Sequence, residues 1–370
     1  MLSRPRLTGL AAILVMAYAM SAPAATITVQ PDGSGDTTTI AAAIDLADDG
    51  DVILVGNGTY TENLMVDKDL VIRGEESAEF SILDGEHSHG LMLVQDGSNV
   101  TLANLTFTQA SLPQNTGHGG ALLIWDGSRA EISDCVFIDN YSGWDNGGLH
   151  VRGVDTQVLV SRCLFIDNRA VHNGGACGVG AQAQLTIEDC LFDGNSCDTI
   201  TGAVNAYAAD RLEIRWSVFA GNAAAVGAVL VENTYAELVG NTFYANTSTD
   251  HGSVLYYSGS SGIFQSNIVA GDTEGVGLKV LDGTCTHTCN IYKSNTLGPV
   301  AGDDLQTNEW VIDPLFCAPG LGDFSLCIDS PALPANNPCG PIGAMGHGCD
   351  ECGTVTVETR SWSAVKRRFR

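Results

Sequence analysis

A row of phenylalanines recurs along the middle of the chain, and its spacing restricts the possible folds more than any other feature. The period is about 27 residues. Aliphatic side chains stand five and seven positions before most of these phenylalanines, and positions two apart share one face of a β-strand. Each repeat has room for three short strands but not for a crossover helix, so the sequence predicts the coils of a parallel β-helix. The row comprises Phe107, Phe137, Phe165, Phe192, Phe219 and Phe243, with Ile268 as its seventh member.

Asparagines form a second row, three positions after five of these residues. Asparagine tolerates a left-handed backbone and hydrogen-bonds to backbone groups, which suits a position where each coil turns. We therefore predict a stacked asparagine ladder and favour it over N-glycosylation or catalysis. The ladder consists of Asn140, Asn168, Asn195, Asn222 and Asn246. Cys135, Cys163 and Cys190 form another row, two positions before the phenylalanines, which we interpret as stacked buried thiols.

Glycines mark the start of the third strand of each coil, at Gly120, Gly148, Gly175, Gly202, Gly227, Gly252 and Gly277. His150 and Arg152 occupy the second and fourth positions after Gly148, and burying them in a dry coil is costly. The first and third positions are therefore expected to point inward. This assignment places an apolar stripe on the outer surface, which needs a cover from a loop, the C-terminal segment or a partner. The stripe comprises Leu122, Ile124, Val179, Val204, Val229, Val231, Val254 and Tyr256.

Both ends of the chain depart from the repeat. Residues 1–25 combine a basic start, an apolar run and small residues, the layout of a secretory signal peptide. Residues 26–300 are assigned to the β-helix, with an amphipathic capping helix within residues 36–48. Residues 301–352 lose the period and gain proline and cysteine, so we expect a cysteine-stapled C-terminal cap. Residues 353–370 form a basic tail, interpreted either as a sorting or attachment segment or as a segment that folds back onto the acidic body.

The overall charge restricts the possible partners. A net charge of −26 argues against nucleic acid and against an anionic membrane surface. After the leader there is no run of ~18 consecutive apolar residues, so no transmembrane segment is expected in the mature chain. The protein is therefore expected to be secreted, and to be extracellular or attached to the cell surface or outer membrane.

The 12 cysteines suit an oxidising compartment. Short loops near the C-terminus suggest disulfides between neighbours in sequence, and a zinc site is the alternative there. The expected disulfides are Cys285–Cys289, Cys317–Cys327, and Cys339 with either Cys349 or Cys352; the alternative zinc ligands are Cys339, His347, Cys349 and Cys352.

Several motifs resemble those of known extracellular proteins. Residues 137–140 with 147–149, and residues 165–168 with 174–176, resemble the repeats of polymorphic outer-membrane proteins. The opening, at residues 32–36 and 58–63, is similar to the start of pectinesterases. Residues 313–316, 330–332 and 342–344 resemble the closing segment of bacterial extracellular β-helix proteins. Residues 26–350 together resemble the secreted right-handed parallel β-helix proteins of the pectate-lyase-like superfamily.

This resemblance implies an all-β, right-handed parallel β-helix with an extracellular polysaccharide or a cell-surface macromolecule as its partner. The later aspartate and glutamine blocks of pectinesterases have no match, so pectinesterase activity is not expected. We expect non-catalytic binding of a glycan or another extracellular macromolecule. The alternative is a Ca²⁺-dependent polysaccharide lyase or another carbohydrate-active enzyme.

Two groups of residues are candidates for that chemistry. A lyase needs a base and commonly uses Ca²⁺ to neutralise the carboxylate of a uronate, and Arg152 with His150 beside it is the candidate catalytic pair. The other interpretation of Arg152 is a surface cation paired with acids. The loops before the glycines form one edge, where Trp144 suits a sugar platform and the acids suit Ca²⁺; solvated loop tips are the alternative. The edge candidates for ligand binding are His118, Trp144, Asp145 and His172, with Asp198, Asp250 and His251 nearby.

Overall fold

The computed structural model describes residues 23–113, 119–271 and 275–350. Within them the chain winds into a solenoid of three parallel sheets, named sheet 1, sheet 2 and sheet 3 in the order in which each coil visits them. The predicted all-β parallel β-helix is confirmed. Most of the predicted signal peptide (residues 1–22), the predicted tail and His118 lie outside the described residues.

Sheet 1 has eleven parallel strands among the described residues. Alternate side chains point into the coil, as in Arg129–Ser133, where Ala130 and Ile132 are buried. Its strands are Thr26–Val29, Val52–Val55, Leu70–Gly74, Asn99–Ala103, Arg129–Ser133, Gln157–Ser161, Gln184–Glu188, Arg211–Arg215, Tyr235–Val239, Ser261–Gln265 and Thr284–Thr288.

Sheet 2 carries the phenylalanine row, and sheet 3 follows the asparagine turn. The strands of sheet 2 are Gly58–Tyr60, Ser81–Asp84, Thr106–Thr108, Val136–Ile138, Leu164–Ile166, Leu191–Asp193, Val218–Ala220, Thr242–Tyr244, Ile268–Ala270, Ile291–Lys293 and Trp310–Val311. Those of sheet 3 are Leu64–Val66, Met92–Val94, Leu122–Ile124, Leu149–Arg152, Cys177–Gly180, Val204–Tyr207, Ala223–Glu232, Thr247–Tyr257, Val276–Leu281 and Val300–Ala301. A side ladder of Ser111–Leu112, Tyr141–Ser142, Arg169–Ala170 and Ser196–Cys197 joins sheet 3 at Ala223–Glu232.

The phenylalanine row is a continuous stack of rings inside the solenoid. Phe107 and Phe137 have ring centroids 4.8 Å apart and nearly parallel planes, and the same stacking continues coil by coil to Phe243. The seventh member of the row is Val269, which pairs with Phe243, so the assignment to Ile268 is wrong by one residue. Ile268 instead points away from the interior, toward Gly343 of the C-terminal segment.

The asparagine ladder forms as predicted. Each side-chain Nδ2 from Asn140 to Asn222 donates both to a phenylalanine carbonyl of the preceding coil and to Oδ1 of the next asparagine, at 2.9–3.0 Å. The left-handed residue of the turn is the one before the asparagine, such as Asp139, whose φ is 56°. The predicted row of Cys135, Cys163 and Cys190 is also confirmed as buried thiols.

The predicted facing of sheet 3 is wrong for most coils. Leu122 pairs with Leu149, which pairs with Cys177, so the glycine equivalent to Gly120 is Gly147 rather than Gly148. The tandem Gly147-Gly148 shifts one coil by a residue, and a one-residue shift reverses the face of every side chain. The residues assigned to an exposed apolar stripe are in fact part of the core. They are Leu122, Ile124, Val179, Val204, Val229, Val231, Val254 and Tyr256.

The first coil is closed by the predicted capping helix, Ile40–Leu46. Thr39 is its N-cap, and Glu62 accepts hydrogen bonds from the N–H groups of Ile40 and Ala41 at 2.9 Å. Lys68 donates to carbonyls at the other end, including that of Ala47 at 2.8 Å. Among the described residues, no helix is both long and apolar enough to cross a membrane.

The C-terminal segment lies along the outer face of sheet 2. It contains the small sheet Phe316–Ala318, Asp323–Cys327 and His347–Cys349, with the 3₁₀ turn Pro319–Leu321. Phe316 and Phe324 pack on Tyr244, and the N–H of Ala344 donates to Thr242 Oγ1 at 3.0 Å. The segment therefore covers apolar residues that sheet 2 turns outward.

The predicted disulfide pairings are wrong. Cys289 is bonded to Cys339, and Cys317 to Cys349, so one bridge ties the last coils to the covering segment and the other lies within that segment. Cys285 is a thiol on the strand Thr284–Thr288. The alternative zinc site is also wrong, because Cys339 and Cys349 belong to two different disulfides. The pairings are non-local because the covering segment folds back across several coils.

Candidate functional site

A notch interrupts the outer face of sheet 3 where one coil lacks outward side chains. His150 pairs with Gly178, which pairs with Asn205, and Arg152 pairs with Gly180, which pairs with Tyr207. Two glycines thus separate two rows of functional side chains. Since neighbouring strands lie about 4.8 Å apart, the flanking strands are about 10 Å apart. The cavity between them has a volume of 260 Å³, and we call it the notch.

Two buried asparagines line the notch with unpartnered oxygen atoms. Asn146 is 1 % exposed and Asn205 is 6 % exposed, and the Oδ1 of each accepts no hydrogen bond from the described residues. Leaving a buried acceptor unpaired costs about 1–3 kcal/mol. Such atoms are found where a ligand or water completes the hydrogen bonding. The two oxygens therefore mark the notch as a place for hydrogen-bond donors.

His150 and Asn146 are held together at the base of this cavity. The Nδ2 of Asn146 donates to Nδ1 of His150 at 2.6 Å. A Cβ at Gly178 would clash with the side chain of Asn146, as would one at Gly174. These glycines are therefore required by the position of the asparagine side chain.

Arg152 borders the notch and is not engaged by the described part of the protein. Neighbouring arginines are paired: Arg162 Nη2 lies 2.6 Å from Asp134 Oδ2, and Arg169 Nη2 lies 2.7 Å from Asp198 Oδ1. No hydrogen bond or ion pair joins Arg152 to any described residue. The expected alternative, a surface cation paired with an acid, is therefore not what the described residues form. Its guanidinium donors face a cavity that also contains unpaired acceptors.

The structure brings together only some of the predicted edge residues. Asp145 lines the notch and accepts a hydrogen bond from Asn173 Nδ2 at 3.0 Å. Trp144 and His172 do not line it; their rings pack against each other, with centroids 4.3 Å apart and planes tilted by 56°. Trp144 is thus half-buried against His172 rather than presented as an open platform.

The predicted acidic edge is not a cluster around one ion. Asp198 is paired with Arg169, and Asp250 lies beside His251, which contacts Lys279. Burial, followed by the charge of Lys279, lowers the pKa of His251. Within the described ranges, the one group of three potential metal ligands with close ligand atoms is Cys317, Cys327 and Cys349, two of which form a disulfide. Calcium binding therefore stays a prediction from the sequence, without an assigned position.

Sequence reasoning missed Asn146, Asn205 and Tyr207. Tyr207 is 54 % exposed at the end of its strand, beside the gap at Gly180. These residues are about 60 positions apart at most, and only the strand register places them together. The sequence does contain one indication of the notch. Gly178 and Gly180 occupy outward positions of sheet 3, where the neighbouring coils have larger side chains.

Comparison with known proteins agrees with this architecture. Residues 67–223 match the family model described as "Right handed beta helix region", which covers less than half of the chain. No curated protein sequence matches the chain. The match and the described coils together define a right-handed parallel β-helix protein. The right-handed parallel β-helix fold that the resemblance implied is confirmed.

Three solved structures with similar folds illustrate the range of sequence identity, TM-score and coverage. The pectate lyase Pel9A has 12 % identity and a TM-score of 0.49, over 88 % of this chain and 97 % of that chain. The pectin methylesterase from Aspergillus niger has 15 % identity and a TM-score of 0.39, over 79 % and 92 %. The pectin methylesterase PemA from Erwinia chrysanthemi has 16 % identity and a TM-score of 0.34, over 65 % and 80 %. Likenesses this remote carry no information on substrate or reaction.

Proposed function

We propose that this chain is an extracellular β-helix protein that binds a carbohydrate in the notch without turning it over. The observation that carries the proposal is the meeting, in one cavity, of the partner-free guanidinium of Arg152 with the unpaired oxygens of Asn146 and Asn205. A ligand that fits must both accept from the arginine and donate to the amides. Sugar hydroxyl groups do both, because each is a donor and an acceptor.

The size and composition of the notch support the same class of ligand. Its volume of 260 Å³ lies near the lower end of small-molecule sites, which suits a single sugar ring rather than a large cofactor. Tyr207 beside the gap adds an exposed aromatic surface. Aromatic rings combine apolar faces with polar edges, and so do sugars.

Binding is favoured over catalysis by the chemistry of the lining groups. Arginine keeps its proton in proteins, so at neutral pH Arg152 is a hydrogen-bond donor. The Nδ1 of His150 is already an acceptor for Asn146, and Asp145 is held by Asn173. A Ca²⁺-dependent polysaccharide lyase with Arg152 as its base is the alternative, and the absence of a described acidic partner for Arg152 is the observation in its favour.

The predicted export of the chain supports an extracellular ligand. The disulfides Cys289–Cys339 and Cys317–Cys349 suit an oxidising compartment, as does the leader predicted over residues 1–25. A β-helix at the cell exterior meets polysaccharides and surface glycoproteins rather than metabolites.

The proposal is tested on the full chain with a glycan array, followed by calorimetry on the glycans that bind. Arg152→Gln is expected to weaken binding at least about tenfold, because a hydrogen bond to a charged group contributes about 1.5–3 kcal/mol. Arg162→Gln is the control, since that arginine is paired with Asp134 and lies outside the notch. Unchanged binding by Arg152→Gln contradicts the proposal.

The same preparations distinguish binding from the lyase alternative. Release of unsaturated uronides is measured with and without added Ca²⁺. We expect no turnover in either condition. Turnover that requires Ca²⁺ and is abolished in Arg152→Gln replaces the binding proposal with the lyase.

A further inference from the structure

Two exposed aromatic residues flank the notch in the same outward row of sheet 3. Trp125 follows Ile124, which pairs with Val151, so it stands beside Arg152. The row then continues from Arg152 through Gly180 to Tyr207. Trp125 is 40 % exposed and Tyr207 is 54 % exposed. Exposed aromatic groups at a polar cavity point to a binding surface.

The two rings differ in how they are held. The Nε1 of Trp125 donates to Gln95 Oε1 at 3.4 Å, which orients the indole from the preceding coil. Tyr207 belongs to the strand Val204–Tyr207, and no described residue bonds its hydroxyl. Gly180 leaves the space between Arg152 and Tyr207 open, since a side chain there would begin 3.1 Å from the carbonyl of Tyr207.

The row fixes the direction and minimum length of a ligand that contacts both rings. Equivalent positions in successive coils are separated by one strand spacing, so Trp125 and Tyr207 are about 14 Å apart along the solenoid axis. That span is longer than one sugar ring. A ligand that stacks on both rings and fills the notch between them must be a linear chain of several linked sugars, lying parallel to the axis.

The surrounding charge favours a neutral chain over a polyanion. Asp145 lines the notch together with Arg152, and Glu232 follows Tyr207 in the row. Asp155 and Asp210 line the adjoining cavity at the corner of the coil. These acids, on a chain of net charge −26, repel a chain with a carboxylate on every sugar.

We infer that the ligand of this site is a linear neutral glycan of several units that lies along sheet 3, stacked on Trp125 and Tyr207 with one unit in the notch. This inference rests on the proposed function and adds the class, length and direction of the ligand. The notch holds one sugar through hydrogen bonds, and the two rings hold its neighbours on either side.

The test uses isothermal calorimetry on the full chain with neutral cello-, xylo- and malto-oligosaccharides of increasing length, and with oligogalacturonates as the anionic comparison. Affinity for the neutral series that binds is expected to rise with length until both rings are spanned, and then to level off. Trp125→Ala and Tyr207→Ala are each expected to weaken binding of the longest oligomer by about 5- to 10-fold, which is what one aromatic contact contributes. Phe80→Ala is the control, because Phe80 is 40 % exposed in the turn before the sheet 2 strand Ser81–Asp84.

The outcomes separate this inference from the proposed function. If Arg152→Gln abolishes binding but both ring variants bind the longest oligomer like the parent, the notch binds sugar and the extended site is wrong. If oligogalacturonates bind more tightly than every neutral series, the neutral assignment is wrong. If no neutral oligosaccharide binds to a chain whose circular dichroism and melting match a folded β-helix, the inference is wrong; if the glycan array also shows no binding, the proposed function is wrong as well.

Discussion

His287 Nδ1 lies 2.9 Å from Glu309 Oε2 at the far end of the solenoid interior, and both side chains are fully buried. His287 pairs with Phe264, so it continues an inward row that is otherwise apolar. Its Nε2 lies 3.3 Å from Asp303 Oδ2. Glu309 also accepts from Asn290 Nδ2 at 2.7 Å and from the hydroxyl of Tyr292 at 3.2 Å. The open end of the core is thus closed by a buried ion pair.

This pair predicts how stability depends on pH. Burial alone would lower the pKa of His287, but hydrogen bonds and charge from Glu309, and then from Asp303, raise it above 6.5. Burial alone would raise the pKa of Glu309, but the hydrogen bonds from His287 and Asn290 lower it below 4.5.

Stabilisation by His287 is therefore complete below its unfolded pKa and is lost as pH rises through the higher folded value. That by Glu309 is complete above its unfolded pKa and is lost as pH falls through the lower folded value. We expect this end of the solenoid to be most stable between pH 4.5 and 6.5, as measured by thermal unfolding across pH.

His287→Leu checks the origin of the alkaline loss. It leaves Glu309 buried without its cation, so the free energy of unfolding should fall by about 3–5 kcal/mol at pH 6. In the variant, the free energy of unfolding should no longer fall between pH 6 and 8 as a result of losing the proton of His287. A parent protein that becomes more stable over that pH range contradicts the assignment.

The asparagine ladder predicts a large effect from a single truncation. Asn195→Ala removes the donor to the carbonyl of Phe165 and the acceptor for both the N–H and Nδ2 of Asn168. Each buried group left unpaired costs about 1–3 kcal/mol, so we expect a loss of about 3 kcal/mol or more in chemical denaturation. Asn57→Ala, at an exposed position, should change stability by less than about 0.5 kcal/mol. Equal effects of the two substitutions are incompatible with a buried ladder.

Among the described residues, the disulfide Cys289–Cys339 is the bridge that ties the C-terminal segment to the coils. The bridge closes a sequence separation of 50 residues. By the chain-entropy estimate, the loss of this bridge costs about 4 kcal/mol. We expect Cys289→Ser with Cys339→Ser to lower the melting temperature and to speed proteolysis within residues 313–345, while the coils persist. Cys285→Ser, which breaks no disulfide, is the control, and similar proteolysis of both variants contradicts the prediction.

The coils were predictable from the sequence because identical residues must stack to build them. Phe137 on Phe165 and Asn140 on Asn168 repeat one local environment, so the period alone identifies them. The facing of sheet 3 was not predictable in the same way, since Gly147 and Gly148 offer two registers that differ by one residue. The cost of burying charge sets the facing only in the coil that contains His150 and Arg152. It does not show which of the two glycines is equivalent to Gly120.

The candidate site was predictable only in part, for a related reason. Arg152, His150 and Asp145 stand out by residue type, and all three line the notch. Asn146 and Asn205 resemble ordinary turn and strand residues, and their unpaired oxygens emerge only when three coils are aligned. The disulfide pairings could not be predicted for the same reason, because they join cysteines that are far apart in the sequence.

The gap at Gly180 predicts that a single side chain can close the notch without unfolding the coil. Gly180 has no left-handed backbone, and the nearest atom to a Cβ there is the carbonyl oxygen of Tyr207 at 3.1 Å, so a small local shift suffices. Gly180→Leu would fill the space between Arg152 and Tyr207, and should weaken glycan binding more than about tenfold by excluding the sugar. We expect melting to stay close to that of the parent, because a strand position gains a side chain with higher β-propensity than glycine. Gly320→Leu, placed where a Cβ contacts nothing within 4 Å, is the matched control. Glycan binding by Gly180→Leu equal to that of Gly320→Leu would show that the ligand lies elsewhere.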